Sequence, residues 1–119
     1  LDDSSTSPGG KISLELFWLA TGQMDKSYKV FTHLVGGDNK IWGQRDDFPG
    51  QGSKPTTGWV TREHIEDSYE IPIDPAAPVG DYKLLVGLYD PISGQRLPVL
   101  DAGGRPTVDH YVLGTVSIR

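Results

Sequence analysis

The sequence lacks cysteine, a long apolar run and any cluster of basic residues. Without cysteine, the chain can form no disulfide and has no thiolate for metal binding or catalysis. The apolar runs are far shorter than the roughly 20 residues that cross a bilayer as a helix, so we expect no direct membrane insertion of this domain. The net charge is −5, and an acidic chain without a basic patch is unsuited to binding nucleic acid.

Glycine and proline are abundant, at 15 and 9 of the 119 residues. A chain that turns this often does not fit a helical bundle. Hydrophobic residues make up 36% of the sequence, which is enough for one core, and the length is that of one ordinary domain. We therefore expect residues 1–119 to form a single domain.

Apolar and polar residues alternate over several segments, and an alternation of period two predicts β-strands. The predicted strands cover residues 11–20, 27–35, 40–46, 64–73, 81–90, 96–100 and 109–118. With turn residues between them, these segments predict an all-β antiparallel β-sandwich of about seven to eight strands, immunoglobulin-like or jelly-roll-like. Side chains of shared parity are the expected core: Leu14, Leu16, Trp18, Val30, Leu84, Val86 and Leu88. Tyr82, which follows Gly80, resembles a tyrosine corner whose hydroxyl bonds to the preceding turn.

Residues 47–61 form a long segment rich in glycine and proline, which predicts an irregular and often functional loop. Trp59 lies near its end, and its ring would either plug the end of the sandwich or stack on a ligand. Gln44 and Asp46 share one face of the strand before the loop, together with Trp42. The candidate ligand site is therefore Trp59 with Gln44, Asp46 and Trp42. The alternative is that Gln44 and Asp46 hydrogen-bond the backbone of the loop.

No residue pattern indicates catalysis, a metal or a cofactor. A nucleophile elbow and a phosphate-binding glycine loop are absent, and nothing signals two carboxylates held across a cleft. The three histidines form no zinc motif. Aspartates could supply oxygen ligands, but they lack EF-hand spacing. We expect no enzyme, no cofactor and no metal ion, with a structural calcium left as the open alternative.

Several phrases occur together and in order over almost the whole chain. They are Pro8-Gly9-Gly10, Leu14-Glu15-Leu16-Phe17-Trp18, Tyr28-Lys29-Val30-Phe31-Thr32-His33-Leu34, Ile41-Trp42-Gly43-Gln44-Arg45-Asp46 with Pro49, Pro55-Thr56-Thr57 with Trp59, Asp67 and Tyr69, Pro78-Val79-Gly80-Asp81-Tyr82, Val86-Gly87-Leu88-Tyr89-Asp90-Pro91 and Gly94-Gln95-Arg96-Leu97-Pro98. This set resembles the C-terminal β-sandwich domain of bacterial multi-pass membrane glycosyltransferases similar to protein mannosyltransferases.

The resemblance implies a non-catalytic accessory domain, cut from a longer membrane protein and located on the extracytoplasmic face of the membrane. Such a domain would position a neutral glycan or an acceptor polypeptide. A free-standing carbohydrate-binding module and a purely structural interaction domain are the alternatives. Members of the family usually begin with one more strand before the Pro-Gly turn, and Leu1-Asp2-Asp3 would be at most its tail. An edge left open in this way would allow an edge-mediated dimer.

Overall fold

The computed structural model describes residues 5–119, and the expected strand tail at the start of the chain lies outside these residues. Within this part of the chain there are seven strands: β1 (Ser5–Thr6), β2 (Lys11–Leu19), β3 (Lys29–Val35), β4 (Ile41–Asp47), β5 (His64–Pro72), β6 (Gly80–Tyr89) and β7 (Tyr111–Ile118). The all-β class is confirmed. In the described part of the chain, no helix has the length and apolar character that a membrane crossing requires.

The strands form two sheets of unequal size. One has five strands in the order β1-β7-β6-β3-β4, and the other pairs β2 with β5. All pairs are antiparallel except β1–β7, which is parallel. The larger sheet is therefore mixed, unlike the purely antiparallel arrangement that the alternation predicted. Parity within a strand carries no information on the direction of its neighbour, so this difference was not accessible from the pattern.

The predicted strand at residues 96–100 does not form. This segment contributes only isolated bridges, between Tyr89 and Arg96 and between Leu100 and Pro106. Pro98 lacks an amide proton, which disfavours a continuous ladder here. The predicted irregular loop contains two short 3₁₀ helices, Pro49–Gly52 and Thr56–Gly58, and its first residue, Asp47, belongs to β4.

One hydrophobic cluster takes side chains from both sheets, so the core lies between them. Of the expected core residues, Leu14, Val30, Leu84 and Val86 are buried. Leu16, Trp18 and Leu88 are only partly buried. These three side chains line a groove at the margin of the core. They point to the face that the alternation predicts, but the groove leaves them partly exposed. The Tyr82 hydroxyl donates to the carbonyl of Pro78 at 2.6 Å, which confirms the tyrosine corner.

Candidate functional site

Trp59, the expected stacking ring, is a buried side chain. It is 4% exposed, and its Nε1 donates to the Lys54 carbonyl at 2.8 Å. Its ring packs on Trp18, with centroids 6.1 Å apart, and on Ala20 and Ile65. A ring in this position has no free face for a ligand. The stacking role expected for Trp59 is therefore corrected to the alternative, an aromatic plug at this end of the molecule.

The carboxylate that holds the loop is Asp67, which the sequence analysis did not place in the candidate ligand site. Asp67 Oδ1 accepts from the backbone N–H of Gly50 at 2.8 Å. Its Oδ2 accepts from Trp18 Nε1 at 3.1 Å and from the Tyr69 hydroxyl at 2.6 Å. Asp67 is 1% exposed. Burial raises the pKa of the Tyr69 hydroxyl, and the hydrogen bond to Asp67 raises it further.

A signal for Asp67 was present in the sequence. In β5, Ile65, Asp67, Tyr69 and Ile71 are the buried residues of one parity. A carboxylate on the apolar face of an alternating strand needs hydrogen-bond partners, because an unpaired buried charge is costly. The pattern thus marks Asp67 as a buried hydrogen-bonding centre, although it does not name the donors.

Trp42 does not share the face of Gln44 and Asp46. The β3–β4 ladder pairs Leu34 with Gly43 and Val35 with Ile41, so Trp42 is the extra residue of a β-bulge. Such a bulge interrupts the alternation of faces. Trp42 packs partly buried against the main core, and its Nε1 lies 3.2 and 3.3 Å from the two carboxylate oxygens of Asp38. The expectation that Trp42 joins the polar face is therefore wrong.

Gln44 and Asp46 do share a face, as expected, and it is the outer face of the large sheet. They pair with His33 and Phe31 of β3, whose parity is opposite to that of the core residues Val30 and Leu34. Asp46 Oδ1 lies 3.6 Å from His33 Nε2, and Oδ2 accepts from the Tyr89 hydroxyl at 3.3 Å. The partners of Asp46 are thus side chains of β3 and β6. The backbone of the loop bonds instead to Asp67.

Phe31 is the buried aromatic residue of this outer face. Its ring is 1% exposed and lies over Gly87, where an added Cβ would come within 2.4 Å of the ring. The Arg96 guanidinium lies 4.3 Å from the ring centroid, a cation–π arrangement. Arg96 Nη1 is also 3.5 Å from Asp109 Oδ1. We call this set the outer-face cluster: Phe31, His33, Gln44, Asp46, Tyr89 and Arg96.

The outer-face cluster contains Asp46, His33 and Arg96, and Arg96 also lies beside Asp109, which contacts His110. Burial lowers the pKa of His33, and the nearby Arg96 lowers it further, while Asp46 opposes both. The hydrogen bond from His110 and the charge of Arg96 hold the pKa of Asp109 below its ordinary value. At neutral pH the cluster therefore offers a carboxylate, an amide, an imidazole, a phenol and a guanidinium. These groups can donate to and accept from a neutral polar ligand.

We expect stability to fall as the pH falls through the His33 titration. The folded pKa of His33 lies below its unfolded value of about 6.5. Between these two values the unfolded chain binds more protons, so the free energy of unfolding rises with pH and reaches its full value above about pH 6.5. Urea denaturation from about pH 5 to pH 8 measures this slope. His33→Gln should reduce the slope, and His64→Gln, at an exposed histidine, should leave it unchanged. An equal slope in wild type and His33→Gln would contradict the prediction.

Within residues 5–119, no three histidine, aspartate or glutamate side chains are placed to hold a metal ion. The aspartates that the sequence offers as oxygen ligands are Asp46, Asp47, Asp67, Asp90 and Asp101, and two of them cap turns. Asp90 Oδ1 accepts from the N–H of Ile92 at 3.0 Å, and Asp101 Oδ1 accepts from the N–H groups of Gly103 and Arg105, both at 2.9 Å. These bonds are short-range contacts within loops.

No protein-family model, curated protein or solved structure matches this chain. The resemblance to glycosyltransferase domains therefore rests on the ordered phrases alone.

Proposed function

We propose that the chain is a non-catalytic accessory domain that binds a neutral glycan on the outer-face cluster. The single observation that carries the proposal is the position of Gln44 and Asp46 on one outer face, beside His33 and Tyr89. Sugar hydroxyls both donate and accept, and planar amide and carboxylate groups suit them. The Asp46 side chain is 32% exposed, so a ligand can reach it.

The charges of the cluster favour a neutral ligand. Arg96 Nη1 lies 3.5 Å from Asp109 Oδ1, so the guanidinium offsets a carboxylate beside the cluster, and the His33 imidazole next to Asp46 is uncharged at neutral pH. The chain as a whole carries a net charge of −5, which disfavours anionic glycans. A shallow site with few polar contacts binds weakly, and we expect a dissociation constant on the order of 1 mM.

The proposed architecture is a β-sandwich with the large sheet as one layer and β2–β5 as the other. A single hydrophobic cluster that draws on both sheets supports this, as do four antiparallel pairings. In keeping with the resemblance, we place the domain on the extracytoplasmic side of a bacterial membrane glycosyltransferase-like protein. Membrane-spanning segments encoded upstream of Leu1 are the expected finding in the full-length gene. Their absence there would favour a free-standing carbohydrate-binding module.

Glycan binding is tested by NMR titration of the labelled chain with neutral hexose and N-acetylhexosamine oligosaccharides. We expect shifts at Gln44, Asp46 and Tyr89 amides. Asp46→Ala should weaken binding about tenfold or more, because a hydrogen bond to a charged group contributes roughly 1.5–3 kcal/mol. Glu15→Ala removes an exposed carboxylate from β2 and should leave the affinity unchanged.

Trp59→Phe separates the outer-face cluster from the loop site. Phenylalanine keeps an aromatic plug, so a folded Trp59→Phe variant should bind as wild type does. Loss of binding in that variant would return the site to the loop. Binding that survives Asp46→Ala would also place the site elsewhere, and no binding of any neutral glycan would leave the purely structural interaction domain as the remaining function.

A further inference from the structure

The two sheets approach each other along two margins, which we call seams. One lies between β4 and the end of β5, and the other lies between β2 and β7. Between β4 and β5, Gly43 forms a bridge with Ile73, and the N–H of Asp74 donates to the Trp42 carbonyl at 2.8 Å. Between β2 and β7, the short strand β1 fills one end, where Ser5 pairs with Ser117 and Thr6 with Ile118. The rest of the β2–β7 seam has no strand in it among residues 5–119.

An apolar groove of about 360 Å³ occupies the margin between β2 and the start of β7. Its lining consists of Leu16, Phe17, Trp18, Val86, Gly87, Leu88, Leu97, Pro98, Val99, Tyr111 and Leu113. None of these residues is charged, although charged residues make up 23% of the chain. Phe17, Tyr111 and Leu113 are 68%, 58% and 37% exposed. An exposed apolar surface of this extent is typical of an interaction site.

The edge of β7 beside this groove has no strand partner over most of its length. Within the described residues β7 pairs with β6 on one side, and with β1 only at Ser117 and Ile118 on the other. β7 carries no charged residue from Tyr111 to Ile118. By contrast β4, the strand at the other end of this sheet, carries Arg45, Asp46 and Asp47. Exposed edges are usually protected by such charges, and an uncharged edge is a template for strand pairing.

We propose that a second copy of this chain pairs with the part of the β7 edge that no strand among residues 5–119 covers, antiparallel about a twofold axis, and closes over the groove. A twofold axis places β7 against the β7 of the other copy, where any charge would face a like charge. β7 has none, so two chains of net charge −5 can meet there without direct repulsion at the interface. This proposal stands independently of glycan binding, which we place on the outer face of the sheet.

The exposed area is sufficient for a weak dimer. Two half-exposed aromatic residues with their aliphatic neighbours present on the order of 500 Å² per copy, or about 1,000 Å² in total. This total lies below the roughly 1,200–2,000 Å² of stable specific interfaces and in the range of weak, transient ones. The dimer should therefore form reversibly and depend on concentration. Backbone hydrogen bonds between the two β7 strands would add directionality to the apolar contact.

Sedimentation velocity of the 119-residue chain over a range of concentrations tests the proposal. We expect a monomer–dimer equilibrium for wild type. Tyr111→Lys should raise the dimer dissociation constant about tenfold or more, since it opposes two like charges at the interface. Ile92→Lys adds the same charge at a residue that is 95% exposed and outside the groove, and it should dimerise as wild type does.

Leu113→Lys is a second variant at the groove, and circular dichroism melting checks that each variant is folded. Tyr111 is the more exposed of the two groove residues, so Tyr111→Lys keeps the test valid if Leu113→Lys does not fold. Concentration-dependent NMR shifts should fall on the β7 amides. A strict monomer at the highest concentration would overturn the proposal. A dimer that persists in folded Tyr111→Lys would overturn it as well.

Discussion

Replacing Asp67 with alanine is expected to lower the free energy of unfolding by roughly 3–5 kcal/mol. Asp67 is buried and accepts from Trp18 Nε1, the Tyr69 hydroxyl and the Gly50 N–H. Alanine would leave these three donors without their acceptor, and an unsatisfied buried polar group costs about 1–3 kcal/mol. Because the donors belong to β2, β5 and the loop after β4, the loss would loosen contacts between several elements at once.

Chemical denaturation monitored by tryptophan fluorescence measures the effect of Asp67→Ala. Glu66→Ala is the matched control, since it removes an exposed carboxylate from the neighbouring position of β5 and should change stability by less than about 0.5 kcal/mol. Asp67→Asn keeps the shape of the side chain but places an NH₂ group opposite one of the three donors. The free energy of unfolding should therefore fall by less than in Asp67→Ala and by more than in Glu66→Ala. Equal stability of Asp67→Ala and wild type would show that Asp67 does not hold these elements together.

Leu84→Ala is expected to lower the free energy of unfolding by about 2–5 kcal/mol. Leu84 is fully buried in the middle of β6, where it pairs with Leu34 of β3 and Gly114 of β7. Truncation removes three side-chain carbons from the core and leaves a cavity that the surrounding strands cannot fill completely.

The control for Leu84→Ala is Ile92→Ala, at a side chain that is 95% exposed. It should change stability by less than about 0.5 kcal/mol. Leu84→Met keeps most of the side-chain volume, and it should lower the free energy of unfolding by less than about 1.5 kcal/mol. If Leu84→Ala loses less than about 0.5 kcal/mol in the same denaturation experiment, the register of β6 described above is wrong.

The sequence pattern predicted part of the candidate site correctly. Gln44 and Asp46 lie on one face because side chains alternate along a regular strand. The same rule fails for Trp42, because a bulge inserts it into the ladder and a slip of one residue reverses the face. The alternation of side chains also could not predict which residues contact Asp46. His33 and Tyr89 come from strands whose positions beside β4 depend on pairing across the sheet.

Trp59 and Asp67 illustrate the same limit inside the molecule. Residues 47–61 predict a loop with an aromatic residue near its end, but burial of that ring depends on Trp18, which lies on a distant strand. The hydrogen bond from Trp18 to Asp67 joins residues 49 positions apart. Contacts of this kind are made only when the strands are assembled, and a single sequence does not specify which strands meet.

The sequence by itself determined the features that depend on neighbouring residues. These include the all-β class, the positions of the six longer strands, the tyrosine corner at Tyr82 and the core parity of Leu14, Val30 and Leu84. Only the tertiary structure decided the strand order, the parallel pairing of β1, the plug formed by Trp59 and the stretch of β7 edge that no strand among residues 5–119 covers. The physical reason is that alternation follows from the geometry of one extended strand. Sheet order depends instead on hydrogen bonds and packing between segments that are far apart along the chain.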